Sequence, residues 1–93
     1  MSKMHRRAAR RDGNEPEIIE ALRTVGATVT PLSAEGVPDL LVGFRGETYL
    51  LEVKEPKGKL TEAQVEYHED WQGSPIQIVR SLEDALKAVG AMS

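Results

Sequence analysis

Two acidic residues and a lysine stand in an otherwise apolar stretch between Val37 and Gly58. Asp39 opens one apolar run, Glu52 lies near the end of the next run, and Lys54 follows Glu52 by two residues. Alternate residues of a strand share a face, so Glu52 and Lys54 would project together. Two carboxylates beside an ammonium group could hold Mg²⁺ next to a phosphate. The same groups could equally form a salt bridge at a solvated strand end, and the spacing alone leaves both possibilities open.

The two apolar runs predict a β-hairpin, and its register decides whether the two acids meet. A turn at residues 45–46 pairs Phe44 with Glu47, and continuing this register sets Asp39 directly opposite Glu52. A three-residue loop would shift the register by one and move the acids to opposite faces. In the first register the two Cβ atoms lie roughly 5 Å apart. Like charges this close are destabilising unless a cation or a shared proton compensates them.

Both faces of the predicted hairpin are largely apolar, which is typical of central strands that are covered on two sides. One face carries Leu40, Val42, Phe44, Tyr49, Leu51 and Val53. The other face carries Asp39, Leu41, Leu50, Glu52 and Lys54. We therefore expect neighbouring elements to cover both faces and to desolvate the acid pair in part.

The remaining sequence predicts three helices and two further strands around the hairpin. A helix should begin at the N-cap Asn14, another at Thr61, and the last at the N-cap Ser81. The predicted elements are helices over 14–25, 61–72 and 81–89, and strands over 27–32, 39–44, 48–54 and 75–80. Their order is αβββαβα, which indicates an α/β fold with a small mixed sheet flanked by helices.

The overall composition indicates one small soluble domain. The chain has 93 residues and no cysteine, which excludes a disulfide framework and a thiolate metal site. No apolar run is long enough to predict a membrane span, so we expect a cytoplasmic protein without a membrane partner. A core this small would gain stability from dimerisation.

The net charge of −3 is unevenly distributed along the chain. Residues 1–11 carry +5 and no acid, which leaves −8 for the rest of the sequence. The basic residues of this segment are Lys3, Arg6, Arg7, Arg10 and Arg11. A basic arm on an acidic body is typical of a polyanion-binding tail, although a solvated terminus can have the same composition. We expect residues 1–13 to form a flexible basic arm and residues 14–93 to form a single domain.

The combination of motifs resembles a known family of nucleases. Pro38-Asp39, a hairpin of this length and then Glu52-Val53-Lys54 resemble the PD-(D/E)xK nuclease signature. The run GVPDLLVGFRGETYLLEVKEPKGKLTEAQVEYHEDW, followed by IVRS, resembles small stand-alone VRR-Nuc domains, mostly from phages and prophages. The resemblance spans about residues 17–89. It implies a restriction-endonuclease-like core and kinship with Holliday-junction resolvases.

The resemblance also implies an activity and a first set of site residues. It implies a Mg²⁺- or Mn²⁺-dependent DNA endonuclease, acting as a homodimer on branched DNA such as four-way junctions. If phage-encoded, the protein would work in the host cytoplasm. Asp39, Glu52 and the carbonyl of Val53 would hold the metal. Lys54 would orient the attacking water and offset charge in the transition state.

Two further site residues come from the helices. The segment RRDGNEPE resembles the R-K-G-x-x-x-E start of the resolvases, which assigns Glu17 to the site as an additional acid and metal ligand. Gln64 would reach the site from the second helix, although Thr61 and Gln64 also form a capping-box pattern. Glu17 could likewise serve only to favour the positive end of its helix.

Several other residues are candidates for binding DNA or for structural duties. The candidate backbone contacts to DNA are Lys57, Lys59, Arg80, Arg10 and Arg11. The family is named for V-R-R, whereas this chain has Val79, Arg80 and Ser81, which leaves the role of that motif open. His68 shares a helix face with Gln64 and is predicted to be a partly buried structural histidine. The aromatic residues Tyr67 and Trp71 are predicted to pack on the sheet.

Two functional alternatives remain compatible with the sequence. A nicking, flap or restriction-type nuclease would need the same local motif, because selectivity depends on how active sites are spaced in a dimer. A non-catalytic nucleic-acid-binding module would instead bind through the basic arm and use the acid cluster as a structural ion pair.

Overall fold

The computed structural model describes residues 12–93, so the segment 1–11, with Arg10 and Arg11, lies outside the described residues. The described elements, in chain order, are α1 (Glu15–Thr24), β1 (Thr28–Pro31), β2 (Leu40–Phe44), β3 (Glu47–Val53), α2 (Glu62–Asp70), β4 (Gln77–Val79) and α3 (Leu82–Ala88). The predicted α/β class and the order αβββαβα are confirmed. Within residues 12–93, no helix has the length and apolar character needed to cross a membrane.

The four strands form one mixed sheet in the order β1-β2-β3-β4. The first three strands are antiparallel neighbours, whereas β4 runs parallel to β3. The hairpin pairs Phe44 with Glu47 and Leu40 with Leu51, which confirms the predicted register. Its two turn residues, Arg45 and Gly46, have φ values of 53° and 83°. Positive φ at both central positions suits the twist of a tight hairpin, and this turn fixes the register of the strands.

The hydrophobic core lies on one face of the sheet, between the sheet and the helices α1 and α3. Its members are Ile18, Leu22, Ala27, Val29, Leu40, Val42, Phe44, Leu51, Val53, Val79, Ala85 and Val89. The opposite face is only partly covered, because Leu41 is 39% exposed and Ile78 is 40% exposed. The expected desolvation of the acid pair is confirmed, since Glu52 is fully buried, whereas the apolar residues of the second face are covered only in part. A complete second layer of helices is therefore absent from this face in the described residues.

Helix α1 begins at Glu15 but is not capped as predicted. The side chain of Asn14 makes no capping hydrogen bond. Its Nδ2 instead donates to the carbonyl oxygen of Lys54 at 3.1 Å and to that of Arg80 at 3.2 Å. Because Lys54 follows β3 and Arg80 follows β4, this side chain ties the start of α1 to the carboxyl ends of two parallel strands.

Helix α2 begins with the predicted capping box of Thr61 and Gln64, and it ends at Asp70, two residues earlier than predicted. None of its residues is buried. Tyr67 and Trp71 stack on each other, with ring centroids 5.8 Å apart, and Trp71 is exposed. Neither ring belongs to the buried core, so the prediction that these two rings pack on the sheet is not confirmed. Helix α2 is consequently held in place by contacts other than an apolar face.

A pair of adjacent leucines in β2 tests the hairpin register. Leu40→Ala should lower the free energy of unfolding by about 2–5 kcal/mol, since the side chain is fully buried in the core. Leu41→Ala, the matched control on the open face, should cost less than about 1 kcal/mol. Urea denaturation of both variants measures the difference. Equal losses at the two positions would contradict the observed register.

Candidate active site

Asp39 and Glu52 meet where the strands of the hairpin end. Asp39 immediately precedes β2, and the register that pairs Leu40 with Leu51 sets Asp39 opposite Glu52. The Asp39 Oδ2 atom accepts a hydrogen bond of 2.8 Å from the backbone N–H of Val53. This bond fixes the Asp39 side chain against β3. The two carboxyl groups therefore face each other through the geometry of the hairpin itself.

Glu52 is fully buried and Lys54 is 9% exposed, so the site is largely withdrawn from water. Burial, the hydrogen bond with Asp39 and the negative charge of Asp39 together raise the pKa of Glu52 to about 9. The positive charge of Lys54 opposes this rise without cancelling it. In the metal-free protein Glu52 is therefore protonated at neutral pH, and the acid pair is stabilised by a shared proton.

Gln64 joins the site from α2 and keeps its capping role as well. Its Oε1 accepts a hydrogen bond of 2.9 Å from the N–H of Thr61, and its Nε2 donates to Glu52 Oε2 at 3.2 Å. The two uses of Gln64 that the sequence suggested are thus compatible. One amide side chain satisfies the start of the helix and contacts the central acid.

His68 also contacts Glu52, which the sequence did not indicate. Its Nε2 lies 3.4 Å from Glu52 Oε1. Burial lowers the pKa of His68, and the positive charge of Lys54 lowers it further. Both groups are therefore neutral at neutral pH in the metal-free protein, and their contact is a hydrogen bond rather than an ion pair. The sequence feature that could have indicated this contact is the spacing of four residues between Gln64 and His68, which places both side chains on one helix face.

The acid that approaches the site from the chain ahead of α1 is Asp12. Burial raises the pKa of Asp12, and this pKa also responds to the charges of Lys54, Asp39 and Glu55. The N–H of Gly13 donates to Glu55 Oε2 at 2.8 Å, which holds this segment against the loop after β3. No sequence motif pointed to Asp12, because its position depends on how the start of α1 docks on the strand ends.

Glu17, on the first turn of α1, stays a predicted site residue. Its side chain is exposed on the first turn of α1, and within residues 12–93 it makes no hydrogen bond to Asp39, Glu52 or Lys54. Its acidic charge at a helix N-terminus has the simpler explanation of favouring the positive end of the helix.

Arg80 holds the loop after β3. Its Nη1 atom donates to three carbonyl oxygens of this loop, at 2.9 Å to Glu55, 3.2 Å to Pro56 and 2.8 Å to Gly58. An arginine engaged in this way acts as a structural clamp, and its role as a DNA contact stays a prediction. Ser81, in the place of the second arginine of the family motif, caps α3 by accepting a hydrogen bond from Asp84 N.

The clamped loop carries Lys57 and Lys59, and both are exposed. They follow the strand that holds Glu52 within a few residues, and their role as DNA contacts stays a prediction. Their charged groups are free to meet a phosphate backbone, since exposure leaves them hydrated and accessible.

The donor set at the site fits a hard divalent cation. Among residues 12–93 no cluster of three or more His, Cys, Asp or Glu side chains could hold a metal ion. Magnesium, however, is usually held by one or two carboxylates together with waters and phosphate oxygens. Asp39 and Glu52 provide two carboxylates. The N–H of Val53 faces Asp39, and in an antiparallel ladder the carbonyl of the same residue points to the same side.

Comparison with solved structures finds a likeness to a structure described as a VRR_NUC domain. The TM-score is 0.66 and the sequence identity is 28%, over 84% of this chain and 96% of that chain. Comparisons with protein-family models and with curated protein sequences find no match. The structural likeness thus covers most of this chain and nearly all of that domain.

The raised pKa of Glu52 predicts a stability that falls as pH increases. The pKa of Glu52 is higher in the folded state than in the unfolded state. Protonated Glu52 therefore makes its full contribution to the free energy of unfolding below about pH 4.5, and this contribution is lost as pH rises towards 9. One such group contributes a slope of at most about 1.4 kcal/mol per pH unit. Urea denaturation in excess chelator at several pH values measures this slope. The isosteric Glu52→Gln variant should lack it, and an equal slope in the two proteins would contradict the shared proton.

Removal of the Arg80 clamp should make the loop after β3 less ordered. Arg80→Met should lower the free energy of unfolding by about 1–2 kcal/mol, because three carbonyl groups of the loop lose their donor. Amide hydrogen exchange in residues 55–60 should accelerate in this variant. Lys87→Met, an exchange of another cation near the same helix, is the control. Unchanged exchange in Arg80→Met would contradict the clamp.

Proposed function

We propose that the chain, a VRR-Nuc domain and therefore of nuclease type, is a divalent-metal-dependent DNA endonuclease. The observation that carries this proposal is the pairing of the half-buried Asp39 with the fully buried Glu52, with the nearly buried Lys54 beside it, at the end of the hairpin. Burying two facing carboxyl groups costs stability, and a cation offsets this cost when the site is loaded. The likeness to a VRR_NUC domain supports the same assignment.

We assign Mg²⁺ or Mn²⁺ to Asp39, Glu52 and the carbonyl of Val53. When bound, the metal would supply Lewis-acid polarisation of a phosphate oxygen and a lowered pKa of coordinated water. The protein contributes fixed ligands, since Asp39 is held by Val53 and Glu52 is held by α2. Low exposure of the site strengthens these electrostatic contacts.

Lys54 has the position expected of a group that stabilises charge on the phosphate. Its side chain is nearly buried, and its charge is felt by Glu52, His68 and Asp12. A preorganised ammonium in a water-poor site stabilises the negative charge that develops on phosphoryl oxygens during attack. We further assign to Asp12 the part that the sequence suggested for Glu17, as the acid supplied from the chain ahead of α1.

DNA is the proposed substrate, and branched DNA is the proposed form. The exposed Lys57 and Lys59 beside the site would contact the phosphate backbone. The open sheet face leaves Leu41 and Ile78 exposed, and a second copy of the chain would shield them. A homodimer would present two active sites related by two-fold symmetry, which suits symmetric cleavage of a four-way junction.

A cleavage panel tests this function. Wild-type protein should cut a four-way junction in Mg²⁺ or Mn²⁺, and faster than it cuts a flap, linear duplex or single strand. Asp39→Asn, Glu52→Gln and Lys54→Met should each reduce cleavage by roughly 100-fold or more, because each removes a ligand or the positive charge. Asp12→Asn should reduce cleavage, whereas Glu17→Gln should stay near the wild-type rate. Gel resolution of end-labelled strands measures all of these rates.

The controls separate the competing possibilities. Full cleavage in excess chelator, or by Glu52→Gln, would contradict a metal site at the acid pair. Cleavage of flap or duplex DNA as fast as junctions would keep the nuclease but reject selectivity for branched DNA. Binding without any cleavage, unaffected by Glu52→Gln and lost on deletion of residues 1–11, would indicate a non-catalytic binding module.

A further inference from the structure

Helix α2 lies against the domain without burying a single residue. One point of attachment is at its start, where Gly36 approaches the helix backbone. A Cβ atom on Gly36 would lie 3.1 Å from the Ala63 carbonyl oxygen, and Gly36 has a φ of 80°. The other point is Glu52, which receives contacts from Gln64 and His68. Contact with Glu52 is therefore a principal reason for the placement of this helix.

The amide of Gln64 has only one orientation that satisfies its surroundings. Its Oε1 atom accepts the N–H of Thr61, so its Nε2 must face Glu52. A flipped amide would set a donor against the N–H of Thr61 and an acceptor against Glu52. The capping box thus forces Gln64 to act as a donor towards Glu52 Oε2.

His68 follows Gln64 by one helical turn and reaches the other oxygen of the same carboxyl group. The side chain of Glu52 is fully buried, whereas that of His68 is 17% exposed. Two side chains on one helix face therefore contact the two oxygens of a single buried acid. A carboxylate has about four lone-pair positions, so it can accept both bonds and still bind a cation.

We propose that His68 is a positioning residue that, together with Gln64, orients Glu52 as a metal ligand. The inference rests on the proposed function and adds to it a second layer of contacts around the metal ligand. His68 would carry its proton on Nε2 and donate a hydrogen bond to Glu52 Oε1. The capping box fixes the second donor, Gln64 Nε2. Hydrogen-bonding partners of metal ligands typically contribute 10–100-fold to metal affinity or activity.

The test compares Mn²⁺ affinity in three proteins by calorimetry, without DNA and without any cleavage reaction. His68→Leu keeps most of the side-chain volume and removes the donor, so its Mn²⁺ affinity should fall on the order of 10-fold. His68→Gln keeps an N–H donor at similar reach and should bind within a few-fold of wild type. Glu69→Gln, an exposed neighbour on α2, should bind as wild type does. Circular dichroism verifies that each variant is folded.

Each outcome decides between distinct conclusions. Equal affinity of wild type and His68→Leu, or equal loss in His68→Leu and His68→Gln, would overturn the positioning role while leaving the metal site intact. Absence of Mn²⁺ binding by the wild type would overturn the proposed function itself, and the positioning role with it. If His68→Leu fails to fold, His68→Ala provides the same comparison with a truncated side chain.

Discussion

The burial of Glu52 opposite Asp39 is the constraint on which the rest of the structure depends. The fully buried Glu52 faces a second carboxyl group, and because the charge of Lys54 does not cancel the rise of its pKa, Glu52 holds a proton in the metal-free protein. The fold enforces this juxtaposition through the hairpin turn at Arg45 and Gly46 and the bond from Val53 to Asp39. A protein selected for stability alone would gain by replacing such a pair with apolar residues.

The elements around the pair are held by specific polar contacts in addition to the core. Asn14 ties α1 to the ends of β3 and β4, Arg80 clamps the loop after β3, and Gln64 connects α2 to Glu52. The core itself lies on the other face of the sheet. The site is thus built on a rigid strand pair and surrounded by segments with specific hydrogen bonds. This division allows a small core to support a polar and partly dehydrated site.

Much of this fold was predictable from local patterns, because turn chemistry and alternation fix a hairpin register. The order of the elements, the pairing that brings Asp39 to Glu52 and the capping box of Gln64 all follow from short-range rules. Short-range rules do not determine which acid near the start of α1 approaches the site. Which acid approaches Lys54 depends on how α1 docks, and that docking is set by the long-range bonds of Asn14.

The contacts of Arg80 and His68 could not be predicted for a similar reason, because both side chains contact residues that are distant in the sequence. Arg80 looked like a DNA contact because a cation near the site is attractive to phosphate, but three carbonyl groups far along the chain engage it. The apolar residues on both faces of the hairpin suggested two covering layers, whereas α2 buries none of its residues. Periodicity shows which residues share a face, but it does not show which neighbour covers that face.

The most direct measurement of the central claim is the number of protons released when Mn²⁺ binds. Calorimetric titration at pH 7, in two buffers with different ionisation enthalpies, gives this number. If a cation replaces the proton shared by Asp39 and Glu52, wild-type protein should release about one proton per metal bound, and Glu52→Gln should neither bind tightly nor release it. Tight Mn²⁺ binding without proton release, or equal binding by Glu52→Gln, would contradict the account.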